Sequence, residues 1–152
     1  MKPIAIASDH GGYRLKENVK IFLTEVGTPY EDYGTGSEEI CDYPDYAAPA
    51  SRAVSMGRSV RAILCCGSGT GMSIVANKFP GVRAVNCYDE WSTLMSRRHN
   101  DANIMTIGER CMEPDDARRL IQLWLDTPFE EGRHARRISK ISDLEQKPYS
   151  SI

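Results

Sequence analysis

The residues with the clearest capacity for chemistry are Cys65-Cys66-Gly67-Ser68-Gly69-Thr70-Gly71-Met72-Ser73, where an apolar run ends on two thiols and opens into three glycines interleaved with hydroxyls. Glycine lets a backbone turn through positive φ and approach a ligand closely, and successive N–H groups at a helix start form a concavity that favours negative charge. The same amides favour a thiolate over a thiol. The segment could therefore hold a nucleophilic or basic sulfur beside an anion cradle, for phosphate binding, redox chemistry or a nucleotide. Neighbouring side chains on a strand point to opposite faces, so only one of Cys65 and Cys66 need pack into the sheet. Two nucleotide motifs fail on their residues. A Walker A loop needs Lys where Met72 stands. A dinucleotide fingerprint belongs after the first strand, where Asp9-His10-Gly11-Gly12 would bring a negative charge toward the pyrophosphate. No His or Cys lies at ligand spacing beside the vicinal thiols, so no metal site is expected there.

The elements that must position this loop follow from hydrophobic periodicity. Short apolar runs at 4–7, 62–66, 82–87 and 104–107, with a weaker one at 29–33, have the length and bounding residues of buried parallel strands. Leu15, Val19, Phe22, Leu23 and Val26 paint one stripe on a helix closed by Gly27, and Ala117, Leu120, Ile121, Trp124 and Leu125 paint another. Helices are also expected over 44–56, with Pro44 at its first position, and over 91–98. From Arg133 onward a charged helix carries Ile138, Ile141 and Leu144 beyond the sheet pattern. Alternation of this kind predicts an α/β fold with a parallel sheet covered on both faces.

In such a sheet, ligands bind outside the carboxyl ends of the strands, which nominates the residues that follow each run. These are Ser8 to Gly12, Cys66 to Ser73, Tyr88 and Asp89, and Gly108 to Arg110. The three histidines, His10, His99 and His134, all lie beside charged or glycine-rich loops. Arg133, Arg137 and Lys140 share one helical face after Gly132, a cationic patch able to capture phosphate or simply a solvated face. Tyr43, in Asp42-Tyr43-Pro44, either packs or lines a pocket.

Composition narrows the partners. A chain of 152 residues is expected to form one domain, 1–152. Its net charge of −2 offers no basic face for nucleic acid and no polybasic run for a membrane surface. Five cysteines, none in CxxC spacing, together with an amino terminus too short and polar for a secretory core, predict reduced thiols in a cytoplasm. No segment is apolar enough to span a bilayer.

Six ordered segments together resemble one family. They are Ser8-Asp9-His10-Gly11-Gly12, Gly34-Thr35-Gly36-Ser37-Glu38 with Asp42-Tyr43-Pro44, Cys66 to Ser73, Ala76-Asn77-Lys78, Arg97 to Asn103, and Gly132 to Arg137. The chain resembles, nearly end to end, the type B ribose-5-phosphate isomerases, a family that also holds galactose- and allose-6-phosphate isomerases. The resemblance implies a Rossmann-like three-layer sandwich with a five-stranded parallel sheet, and an extended C-terminal helix and tail over 133–152 that contacts a partner. It implies a homodimer or homotetramer with active sites between subunits, and no metal or organic cofactor. By the resemblance, Cys66 is the base that moves a proton between carbons 1 and 2, and His99 assists ring opening. Asp9 and His10 contact the sugar or its phosphate, and Tyr43 lines the pocket. Ser68, Asn100 and the Gly67, Gly69, Thr70 and Gly71 amides hold the enediolate. Arg110, Arg133 and Arg137 grip phosphate, the last two from the neighbouring subunit. Ser68 stands where several members carry Thr, Cys65 adds a thiol the mechanism does not ask for, and a bulky Trp91 bears on sugar length if it faces the sugar. Aldose–ketose isomerisation needs a base, donors for a developing oxyanion and an anchor for the remote end, and these residues supply each. A 6-phosphohexose isomerase and a non-catalytic sugar-phosphate or nucleotide-binding module are the alternatives.

Overall fold

A computed structural model describes residues 2–146. Five parallel strands, β1 (Ile4–Ser8), β2 (Tyr30–Asp32), β3 (Arg61–Cys66), β4 (Ala84–Asn86) and β5 (Ile104–Gly108), lie in the order β2-β1-β3-β5-β4. The three central strands are almost wholly buried, which explains why they read as continuous apolar runs. Six helices connect and follow them: α1 (Tyr13–Glu25), α2 (Tyr43–Ser55), α3 (Thr70–Ala76), α4 (Glu90–Arg98), α5 (Pro114–Asp126) and α6 (Arg133–Gln146). The expected tail over 147–152 lies outside the described residues. No described helix is long and apolar enough to cross a membrane.

Two cores flank the sheet. On one side Leu15, Val19, Phe22 and Leu23 of α1 and Leu120, Ile121 and Trp124 of α5 pack on Ile4, Ile6, Ile63, Cys65, Met105 and Ile107. On the other, Ala47, Ala50 and Ala53 of α2 and Met72 and Ala76 of α3 pack on Ala5, Ala7, Leu64 and Cys66. Small residues on that side let α2 approach β1 closely.

The expected elements are present with shifted ends. Helix α1 stops at Glu25, leaving Val26 exposed, because Gly27 turns left-handed at φ 68 and bonds from Gly27 N to Thr24 O and Thr28 N to Leu23 O close the last turn. Strand β4 is shorter than its apolar run, since Val82 N donates to Phe79 O in a turn and Arg83 N donates to the Asn103 side chain. Tyr43, not Pro44, opens α2.

Candidate active site

The carboxyl ends of β1, β3 and β5 converge on a cleft of about 410 Å³ lined by Asp9, His10, Gly11, Tyr43, Cys66, Gly67, Ser68, Gly71, Arg110 and Cys111. Its floor is set by β3. Strand alternation sends Cys65 into the α1/α5 core and Cys66 to the α2/α3 side, where Cys66 is 6% exposed and reaches the cleft. Burial, then the adjacent Cys66 and Glu109, push the Cys65 thiol far above its ordinary range, so it stays protonated. The Cys66 sulfur accepts the Gly69 N–H at 2.9 Å. That bond requires Gly69 at φ 83, a left-handed conformation a side chain would strain. Thr70 N donates to Ser68 Oγ at 3.3 Å. The Gly69 and Thr70 amides are thus engaged within the turn, and it is Gly67 and Gly71 that line the cleft.

Strand β1 delivers Asp9 and His10 through a 3-10 turn over His10–Gly12. Asp9 is 8% exposed, and its Oδ1 has no hydrogen-bond partner among the described residues. Such an unpartnered buried acceptor calls for a donor, and Asp9 borders the cleft from which a ligand or water could supply one. His10 Nδ1 lies 3.2 Å from both the amide nitrogen and the carbonyl oxygen of Cys41, which fixes the ring. Glu109 N donates to Cys66 O at 2.8 Å and Arg110 N to Gly67 O at 3.1 Å, clamping the loop after β5 onto the glycine turn and carrying Arg110 to the wall.

His99, Asn100, Arg133 and Arg137 do not line this cleft within one chain. His99 caps the end of α4, and its ring stacks on His134 of α6, with centroids 4.1 Å apart and planes inclined by 9°. Glu130 Oε2 lies 3.9 Å from His99 Nε2 and 3.8 Å from His134 Nε2. Burial, then His99, Arg133 and Arg137, hold His134 below the usual imidazole range. These two rings and Glu130 are the one group of three metal-ligating atoms gathered among the described residues. The arrangement does not suit a cation. A coordinated metal lies in the plane of each imidazole, and two stacked planes share no such point. Arg133 Nε also points at His134 Nε2, 3.4 Å away. Asn100 is exposed, with its carbonyl bound by Arg83 Nε at 2.9 Å. Trp91 is exposed in the first turn of α4, off the cleft.

The rim residues named from sequence include Gly11 but stop at Arg110, so sequence reasoning missed Cys111, which extends the rim after β5, and Asn86, which lies in β4 and contacts the glycine turn. The rim rule, carried one residue past Arg110, would have found Cys111. Asn86 gave no signal, because its place depends on strand order.

A family model described as Ribose/Galactose Isomerase matches residues 4–141. Ribose-5-phosphate isomerase B of Escherichia coli (strain K12) is 42% identical over 147 residues, covering 97% of this chain and 99% of that relative. The structure of ribose-5-phosphate isomerase B from Clostridium thermocellum matches with a TM-score of 0.93 at 45% identity, over 95% of this chain and 97% of that one. That of the Mycoplasma genitalium ribose-5-phosphate isomerase B with bound ribulose-5-phosphate matches with a TM-score of 0.92 at 32% identity, over 96% and 97%.

Proposed function

The chain belongs to the ribose/galactose isomerase family, and from that premise we propose that it interconverts ribose 5-phosphate and ribulose 5-phosphate. One observation carries the reading: a single cleft groups the Cys66 thiol, the Ser68 hydroxyl, the open Asp9 carboxylate and the Arg110 guanidinium. The related structure that holds ribulose-5-phosphate supports the pentose over other sugars.

In this mechanism the Cys66 thiolate takes the proton from carbon 2 of the open-chain aldose and returns it to carbon 1, while the hydroxyl proton passes from O2 to O1. The enediolate between the two steps is held by Ser68 Oγ and the Gly67 and Gly71 amides. A single oxyanion donor is worth about 2.7–4 kcal/mol, and a positioned base about 100- to 10,000-fold in rate. Asp9 and His10 bind sugar hydroxyls or the phosphate end, Tyr43 closes the wall, and Arg110 anchors phosphate, whose remote binding energy orients the reacting carbons. His99, which opens the ring, and Arg133, which binds phosphate, lie on one patch with His134, joined by the His99–His134 stack and the Arg133–His134 contact. A second copy that presents Arg133 and Arg137 to the cleft would bring His99 and Asn100 with them, so the working unit is a homodimer or homotetramer.

The test is direct. Protein mixed with ribose 5-phosphate should generate ketose at a rate that EDTA does not change. Absence of turnover on pentose and hexose phosphates alike would overturn the reading in favour of a sugar-phosphate-binding module.

A further inference from the structure

The Ser68–Gly69 peptide is held at both ends. Its N–H donates to Cys66 Sγ at 2.9 Å, and its carbonyl oxygen accepts Asn86 Nδ2 from β4 at 3.2 Å. The two groups of a trans peptide point in opposite directions in one plane, so fixing the oxygen aims the hydrogen. We propose that Asn86 is a positioning residue for proton transfer, holding the Ser68–Gly69 peptide plane so that its N–H stays on the Cys66 sulfur.

The glycine cannot supply that constraint itself. Gly69 sits at φ 83, and glycine accepts either sign of φ at little cost, so the peptide is free to flip unless something holds it. Asn86 does so with its own orientation specified. Asn86 and Thr106 are cross-strand partners, and Thr106 Oγ1 donates to Asn86 Oδ1 at 3.2 Å, which turns Nδ2 toward the glycine loop. There Nδ2 also lies 3.5 Å from Thr70 Oγ1. Gly69 packs so closely on the Asn86 carboxamide that a Cβ at 69 would collide with it. The result is a relay of donors, from the Thr106 hydroxyl through Asn86 and one peptide to the sulfur, in which each bond polarises the next. A donor held on sulfur favours thiolate, the form that abstracts protons. Asn86 is not among the residues that line the cleft, and it acts only through this peptide.

The inference rests on Cys66 being the base, but its test needs no turnover. In the free protein, the rate of Cys66 alkylation by iodoacetamide is followed against pH by peptide mass spectrometry. Asn86→Ala should slow it about three- to tenfold at pH 6 and progressively less as pH rises, which is the effect of loosening, not removing, one hydrogen bond to the charged form. The buried isostere Thr106→Val should slow it about twofold, and Thr106→Ser, which keeps the hydroxyl, should leave it unchanged. Substrate turnover by Asn86→Ala should fall on the acid side through kcat, with KM held. An unchanged alkylation profile in folded Asn86→Ala overturns the proposal, as does slowing that is equal at every pH. If Asn86→Ala does not fold, an unchanged profile in Thr106→Val overturns it instead. Turnover that survives Cys66→Ala would defeat the isomerase mechanism while leaving the alkylation result standing.

Discussion

Two adjacent thiols with opposite surroundings show how far a single residue's chemistry depends on its side of the sheet. Cys65 lies in the core against α1 and α5, its thiol pushed up by burial, whereas Cys66 reaches the cleft and accepts an amide hydrogen. Cys66→Ala should therefore reduce turnover by about 100-fold or more while leaving ribose 5-phosphate binding measurable by calorimetry. Cys65→Ala should keep most of the activity and show its effect as a lower Tm, since it removes buried volume rather than a reacting atom. Equal losses of turnover at both thiols would remove Cys66 from the role of base. The two-residue period of a strand made the opposite facing legible from sequence. That loop amides would support the sulfur was also legible, whereas the Asn86 brace was not, because it needs the β3-β5-β4 order and the pairing of Asn86 with Thr106.

At the scale of elements, the loop that precedes α2 is fastened by a lysine that the helical stripe gave no reason to bury. Lys16 of α1, 1% exposed, donates to both carboxylate oxygens of Asp32 at 2.7 and 2.8 Å and to Thr35 O at 2.8 Å. The same loop returns to β1 through bonds from Ser8 N to Gly34 O and Thr35 N to Ser8 O, one residue from Asp9. Burial alone would raise the Asp32 carboxyl, but hydrogen bonds from Lys16, the Gly34 amide and Lys20 outweigh it and hold the group below its ordinary 3.8. A depressed carboxylate stabilises the fold above its unfolded value, and that stabilisation is lost as pH falls through the folded one. Asp32→Ala, which leaves the buried ammonium only Thr35 O and Glu17 at 3.4 Å, should cost about 3 kcal/mol in urea unfolding at pH 7. The deficit should shrink below about pH 4, where the parent loses the same charge. Lys16→Met should cost less, about 1–2 kcal/mol, because Lys20 still pairs with Asp32 at 3.0 Å. Equal costs at pH 7 would assign the fastening to packing. The strands and amphipathic helices were legible because their periods are local. The Lys16 pair was not, because its partners end and follow β2, a strand only three residues long.

For the whole molecule, the chain carries two groups of candidate site residues that do not meet within it: the Cys66 cleft, and the patch where His99, His134 and Arg133 gather. If a site is completed by a second copy, inactive Cys66→Ala chains mixed with inactive Arg137→Ala chains should recover up to about a quarter of the parent activity, since random pairing places one intact site in half of the dimers. No recovery in dimers verified as mixed would assign every function to one chain. How two copies can meet is limited by the borders of the sheet. Both edge strands have three residues, so little unpaired backbone is offered, and the β2 edge also carries Glu31 and Asp32. Short edges, and charge on one of them, deter lateral pairing of sheets, the route by which exposed strands seed fibrils. Contacts between copies, where they form, are thereby steered away from edge-to-edge polymerisation and toward helices and loops, where they can close and stop.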